Sequence, residues 1–218
     1  MSDYDYIKHG SDIYARSFEI IREETNLDRF PASLEPVVVR MVHAAADPQI
    51  ADLISFTDDV AVAARTALEA GAPILCDSSM VATGVIRSRL PRDNDVVSLI
   101  KDPRLSDLAA KLGSTKTSAA VDLWLETGQL DGAVVAIGNA PTSLFRLLEL
   151  LHTTSVRPAA VIGIPVGFVG AAESKDALIA NDLGLEYLTV RGRRGGSAMA
   201  VAAVNAMASG AETTNVHQ

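Results

Sequence analysis

From Ala72 onward the chain repeats one pattern: a short apolar run, a small or polar turn, then a stretch with helical spacing. That alternation marks βα units and restricts the fold to a parallel sheet covered by helices. Four units are visible. Residues 73–76 (PILC) run into DSSMVATGVI, residues 133–139 (AVVAIGN) into PTSLFRLLELL, residues 159–171 (AAVIGIPVGFVGA) into ESKDALIANDLG, and residues 186–196 (EYLTVRGRRGG) into SAMAVAAVNAMA. Residues 95–99 are expected to add a fifth strand. Crossovers of this length put helices on both faces, so the expected fold class is α/β, a three-layer α/β/α Rossmann-like parallel sheet that binds ligands at the carboxyl ends of its strands. Composition agrees with this reading. Only 5% of residues are aromatic against 48% hydrophobic, so the apolar positions are mostly Ala, Val, Leu and Ile, as in parallel strands buried on both faces.

The first seventy residues read instead as helices at about 10–25, 34–46 and 58–70. No linker-like Ser/Gly/Pro tract separates them from the βα units, so residues 1–218 are expected to form one domain, with 209–218 as a polar, frayed tail that includes His217. The segment SLEPVVVRMVHAAADP contains a Val-rich run that by itself also suits a strand. Ser33 as N-cap, Glu35 and Pro36 in a first turn, and Asp47-Pro48 as a stop favour a helix. On a helix Arg40 and His43, three residues apart, share a face; on a strand they would point to opposite sides.

The charge sum, 19 basic against 27 acidic residues, is −8. That argues against a general binder of nucleic acid or anionic membranes, so any anionic ligand has to meet a local cluster of Arg or Lys. The single Cys76 forms no internal disulfide and no multi-Cys metal site. The N-terminus lacks the apolar core of a secretory signal, and no run approaches the ~18 apolar residues of a membrane span. A soluble, cytoplasmic protein is expected.

Several residues have the chemistry for a site. His43, among Val, Met and Ala, reads first as a core or boundary histidine satisfied by a backbone carbonyl. The alternative is a general acid or base, since its reference pKa lies near 6.5 and burial or a neighbouring charge moves it across neutrality; Asp47, one turn on, would favour the protonated form if the helix extends that far. Tyr14 and Ser17 put two hydrogen-bonding groups on one face of an amphipathic N-terminal helix, whose Phe18 and Ile21 pack inward. The turns CDSSMVATG, GNAPTS and VRGRRGGS offer hydroxyls, an amide and guanidiniums near helix N-termini, where free N–H groups attract anions. Plain turn and capping chemistry explains them equally well. With Arg87, Arg89, Arg191, Arg193 and Arg194 close by, they outline an anion-lined crevice. No P-loop, GxGxxG or GxSxG motif is present, and no second His or Cys stands at metal-ligand spacing. Cys76 is expected to be a buried structural thiol.

The stretches IYARSFEIIREE, RMVHAAADP, GAPILCDSSMVATGVIRSRL, DGAVVAIGNAPTSLFRLLELL, PAAVIGIPVGFVGAAESKDAL and LTVRGRRGGSAMAVAAVNA, in this order, resemble the precorrin-8X methylmutase (precorrin isomerase) family of cobalamin biosynthesis over about residues 5–208. The resemblance implies an isomerase that moves a methyl group from C-11 to C-12 of precorrin-8X to give hydrogenobyrinic acid. It implies no cofactor, because the methyl group only migrates. The family's proton-transferring histidine falls on His43 within Arg40-Met41-Val42-His43, and its substrate contacts fall on Ser17 and Arg40. Tyr14, Thr83, Arg87, Asn139 and, in GSTKTS, Lys116 are taken as further substrate contacts. A homodimer with sites near the subunit interface, and hand-over to neighbouring pathway enzymes, are also implied. A related branch takes a cobalt-containing substrate, and no residue here separates the two. A non-catalytic tetrapyrrole carrier, and a nucleotide-dependent oxidoreductase using the turn at Gly192–Ser197, are the competing readings.

Overall fold

The computed structural model describes residues 4–210. In chain order they form α1 (Gly10–Glu24), α2 (Glu35–Ala45), α3 (Ile50–Leu53), β1 (Ile54–Phe56), α4 (Val60–Glu69), β2 (Ile74–Cys76), α5 (Ser79–Gly84), a 3-10 turn (Arg87–Arg89) and β3 (Val96–Val97). There follow α6 (Leu105–Leu112), α7 (Lys116–Glu126), β4 (Val134–Ile137), α8 (Pro141–Thr153), β5 (Ala160–Gly163), α9 (Ala171–Ile179), β6 (Tyr187–Val190) and α10 (Ser197–Ser209). The six strands make one sheet in the order β1-β6-β5-β4-β2-β3.

All pairings are parallel except β1 with β6, which is antiparallel. The expected sheet is thus α/β as read, but mixed at one edge. The exception is Ile54-Ser55-Phe56, a strand too short to show a period in the sequence. Two other expectations are corrected. Ser33 does not cap α2: Leu34 holds that position in a helical conformation, and its N–H bonds Pro31 O at 2.8 Å. The expected tail at 209–218 begins too early, since α10 includes Ser209 and ends on left-handed Gly210; the rest of it, His217 included, lies outside the described residues.

The central strands are buried along their whole length, and successive side chains enter two different cores, as a sheet covered on both faces requires. Ile74, Cys76, Val134, Ala136, Ile162 and Leu188 join the core shared with α1, α2, α4, α5 and α10. Leu75, Val135, Ile137 and Val161 face the other way, into the core shared with α7, α8 and α9. The three layers are therefore built. On the first face α10 lies directly on the sheet, α2 packs on α10, and α1 packs on α2. α10 is apolar nearly all round, with nine of its thirteen residues buried, as expected of a helix sandwiched between other elements.

α2 ends at a device that matters for the site. Ala46 adopts the left-handed conformation (φ 51°), and it is the only non-glycine among the described residues with positive φ. The chain reverses there through Asp47 N–H to Val42 O (3.4 Å), a helix stop that a glycine more often provides.

Two buried charges organise the loops after the strands. Asp77, at the end of β2, is 1% exposed and accepts backbone N–H bonds from Gly138 (3.1 Å), Asn139 (2.8 Å) and Ala140 (2.7 Å), tying β2 to the turn that opens α8. Burial raises its proton affinity, and those N–H groups pull it back. Lys175, on α9, is 0% exposed and donates to Arg194 O at 2.7 Å, bracing the turn between β6 and α10. Burial lowers its pKa from 10.5 to about 8.

Replacing Asp77 with Ala orphans three N–H groups at once and should lower stability by about 2–4 kcal/mol in urea titrations at neutral pH. For Lys175 the sign follows from the lowered pKa. Between about pH 8 and 10.5 the unfolded chain holds a proton on this amine that the folded chain has released, so stability rises with pH across that interval. Lys175→Met should abolish that rise, and the wild-type-minus-variant stability difference should grow by up to about 3 kcal/mol from pH 8 to 10.5. A pH-independent difference would contradict it.

Candidate active site

Four of the residues singled out in the sequence meet at the seam between α1 and α2. α1 buries Phe18 and Ile21 against α2. That orientation turns Tyr14 and Ser17 toward the α2 face bearing Arg40 and His43. The Ser17 hydroxyl lies 3.0 Å from His43 Nδ1. The imidazole packs edge-on to Phe18 (centroids 5.3 Å apart) and tilted to Tyr14 (5.7 Å). The Arg40 guanidinium stands 5.9 Å from the Tyr14 ring and 5.7 Å from the Phe18 ring, within the range of a cation–π contact.

The Ser17 bond engages Nδ1, so Nε2 is the nitrogen that can exchange a proton with a ligand. His43 is half-buried and borders an open cleft of about 290 Å³ with Ser17, Ile20, Val42, Asp47 and Pro48. Burial first, and the Arg40 charge second, lower its pKa below 6.5. The imidazole is thus neutral near pH 7, and its protonated form is a stronger acid than a free histidine.

Asp47 does not favour the imidazolium as expected. The reversal at Ala46 takes its carboxylate to Arg194 Nη1, at 2.6 Å, and the charges that move His43 are those of its own helix.

The turns of the expected anion crevice are mostly engaged within the protein. Ser78 caps α5 through Val81 N–H. The first three N–H groups of GNAPTS go to Asp77, and that of Ser143 to Ala140 O. In VRGRRGGS, Arg194 pairs with Asp47, Arg193 lies over the Phe168 ring at 5.3 Å, and Gly196 N–H bonds Ile164 O. That last turn has little left to offer a nucleotide phosphate.

The remaining sequence candidates sit elsewhere. Thr83 is exposed on α5, Arg87 is exposed in the 3-10 turn, and Asn139 is exposed at the end of β4. Lys116 opens α7, in the helical layer on the opposite face of the sheet from α1 and α2. Cys76 is buried and its thiol is pushed up to about 12 by burial, which makes it inert. Arg89 is the residue that the sequence ranked no higher than its neighbours and the structure distinguishes. Its Nη1 is buried and unbonded, as is Arg40 Nε. Among the described residues no cluster of three or more His, Cys, Asp and Glu side chains is placed to hold a metal ion, and no helix is long and apolar enough to cross a membrane.

The comparisons converge. A family model for precorrin-8X methylmutase matches residues 12–210. A precorrin-8X methylmutase of a Sinorhizobium species is 54% identical over 208 residues, covering 95% of this chain and 98% of that protein. One from Pseudomonas aeruginosa is 52% identical, covering 94% and 97%. A cobalt-precorrin-8 methylmutase of Salmonella typhimurium is 38% identical, covering 93% and 96%. The crystal structure of a precorrin-8X methylmutase from Thermus thermophilus superposes with a TM-score of 0.83 at 38% identity, covering 94% of this chain and all of that one. A match spanning nearly the whole chain, at this identity and with this agreement in fold, places the protein among the isomerases of cobalamin biosynthesis: it belongs to the precorrin-8X methylmutase family.

Proposed function

We propose that the chain moves the methyl group at C-11 of precorrin-8X to C-12, giving hydrogenobyrinic acid, with His43 as proton donor and acceptor and with Ser17 and Arg40 holding imidazole and substrate. The contact that carries this reading is Ser17 Oγ to His43 Nδ1 at 3.0 Å, on a face that also presents Arg40 and opens to a cleft. The hydroxyl fixes the ring's orientation and leaves Nε2 for chemistry. A proton passed from Nε2 to a ring nitrogen makes the conjugated macrocycle electron-poor and favours migration of the methyl group with its bonding pair. The same nitrogen then returns the proton, so atoms and charge balance, no group is gained or lost, and no cofactor is required. Such general acid help is worth ~10²–10⁴-fold.

The low proton affinity of His43 serves the donor step, because a more acidic imidazolium protonates a weak base further. The macrocycle is larger than the cleft at His43. A second cleft of about 390 Å³, lined by Ala44, Val166, Arg194, Gly195 and Met199, adjoins it at Asp47, and together they fall in the range of ligand sites. Tyr14 would contact the macrocycle at its ring, while Thr83, Arg87, Asn139 and Lys116 remain contacts for its outlying carboxylates. We further propose a homodimer, supported by the exposed apolar Met80, Phe168 and Val169. The higher identity to the Sinorhizobium and Pseudomonas relatives, named for precorrin-8X, than to the Salmonella relative, named for the cobalt form, favours the metal-free substrate.

Mixing protein with precorrin-8X without oxygen should convert the visible spectrum to that of hydrogenobyrinic acid. His43→Ala should keep the fold and lose at least ~10²-fold in kcat; binding of pigment without conversion by wild type would favour the carrier reading. The pH profile tests the donor role separately. A donor must carry its proton, and the free enzyme's His43 pKa lies below 6.5, so kcat/KM should fall as pH rises, with its midpoint under 6.5. A profile flat from pH about 5 to 7 would remove His43 from that role.

A further inference from the structure

Two arginines from unconnected elements, one on α2 and one on the 3-10 turn, are carried on opposite flanks of one helix, α10, within electrostatic reach of each other and without an ion-paired carboxylate. Arg40 comes from the middle of α2 and Arg89 from the end of the 3-10 turn. α10 is the scaffold for both. It packs against α2, and its buried Asn205 grips the chain before the turn, accepting from Ile86 N–H at 2.9 Å and donating to Gly84 O at 3.1 Å. Arg89 N–H then bonds Ile86 O at 2.9 Å, which closes the turn.

The two cations are close enough to repel: after burial, the Arg40 charge is what most lowers the proton affinity of Arg89, while Tyr14 lies near enough to oppose it. Neither is paired with an acid among the described residues, in a chain with 27 acidic residues against 19 basic. Elsewhere Arg16, Arg65, Arg104, Arg146 and Arg194 each hold a carboxylate; other arginines lack one too, and what sets Arg40 and Arg89 apart from those is a buried nitrogen without a partner. Arg40 Nε and Arg89 Nη1 are shut off from water with no acceptor. Both side chains are nevertheless only partly buried, so the rest of each guanidinium is open to an anion with two oxygens, the shape a guanidinium fork binds best.

We propose that Arg89 joins Arg40 in clamping one peripheral carboxylate of the substrate, fixing which edge of the macrocycle faces His43. The assignment rests on the function proposed above and adds a residue to it. Arg40 is one helical turn before His43, so an anion held there sets the ring's distance and rotation relative to Nε2. Arg89 is then a specificity-determining contact. Its neighbour Arg87 is exposed in the same turn, and no buried, unbonded nitrogen marks it.

The test uses the intact protein, precorrin-8X, and hydrogenobyrinic acid with its methyl ester as binding probes. Arg89→Gln should raise KM at least tenfold and change kcat less than threefold. Wild type should bind the acid more tightly than the ester, and this preference should shrink at least tenfold in Arg89→Gln. Arg89→Lys, which keeps the charge and loses the fork, should fall between the two and serves if the Gln variant does not fold. A merely structural arginine would lower the melting temperature and leave the acid-over-ester preference intact, which overturns the assignment. Wild type converting precorrin-8X while Arg89→Gln matches it in KM and preference would overturn the clamp alone. Wild type neither converting precorrin-8X nor binding the acid would overturn the function and the clamp together.

Discussion

The site depends on the burial of α10 between the sheet and α2. A helix of Ala, Val and Met allows close approach on both sides. Gly138, at the end of β4, lies so close to Ala200 and Ser197 that an added methyl would stand 2.9 Å from each, and Gly84 abuts Val201 in the same way. Close packing of this kind leaves little freedom to slide, since interiors sit near crystal density. α2 is therefore held at a fixed height above the sheet, and α1 above α2. His43, Arg40, Ser17 and Tyr14 inherit their geometry from that stack, since α1 and α2 are not neighbours in the sheet and share no strand.

Electrostatics divide the basic residues into two populations. Most are tied within the protein, such as Arg146 between Asp122 and Glu149, or Arg194 on Asp47. Buried groups on the loops are likewise matched: Asp77 takes three N–H groups and Lys175 a carbonyl. Arg40 and Arg89 stand apart as cations with buried, unbonded nitrogens. A buried donor without an acceptor disfavours the folded chain, which distinguishes these two cations from the rest. The same Arg40 charge lowers the proton affinity of His43. In the proposed mechanism one residue would thus serve both anion binding and proton transfer.

The helix reading of residues 34–46 was the decisive sequence inference. It put Arg40 and His43 on one face, and the structure places both against Tyr14 and Phe18. The pairing of Tyr14 with Ser17 was visible for the same reason, a spacing of three on an amphipathic helix. The influence of Asp47 on His43 depends on the helix reaching that residue, and the left-handed turn at Ala46 stops it short. The crevice of strand-end turns is smaller than the sequence suggests, because a sequence shows donors without showing that Asp77, 62 residues from Asn139 in the chain, has already taken them. Strand β1 is not legible in the sequence, because three residues carry no period and its pairing is contributed by β6.

What the sequence determined by itself was local and periodic: the βα alternation, the two residue pairs at helical spacing, the lack of any basic excess, and a run of blocks specific enough to name a family. These follow from side-chain period and backbone preference, which act over a few residues. What only tertiary structure decided was which groups meet and which remain unpaired. Ser17 finds His43 across 26 residues, Asp47 is drawn to Arg194 across 147, and Arg89 is set beside Arg40 by Asn205 on a helix remote from both. Such pairings are fixed by packing, because burial of α10 and the stacking of α2 and α1 select the contacts, and no local rule encodes them.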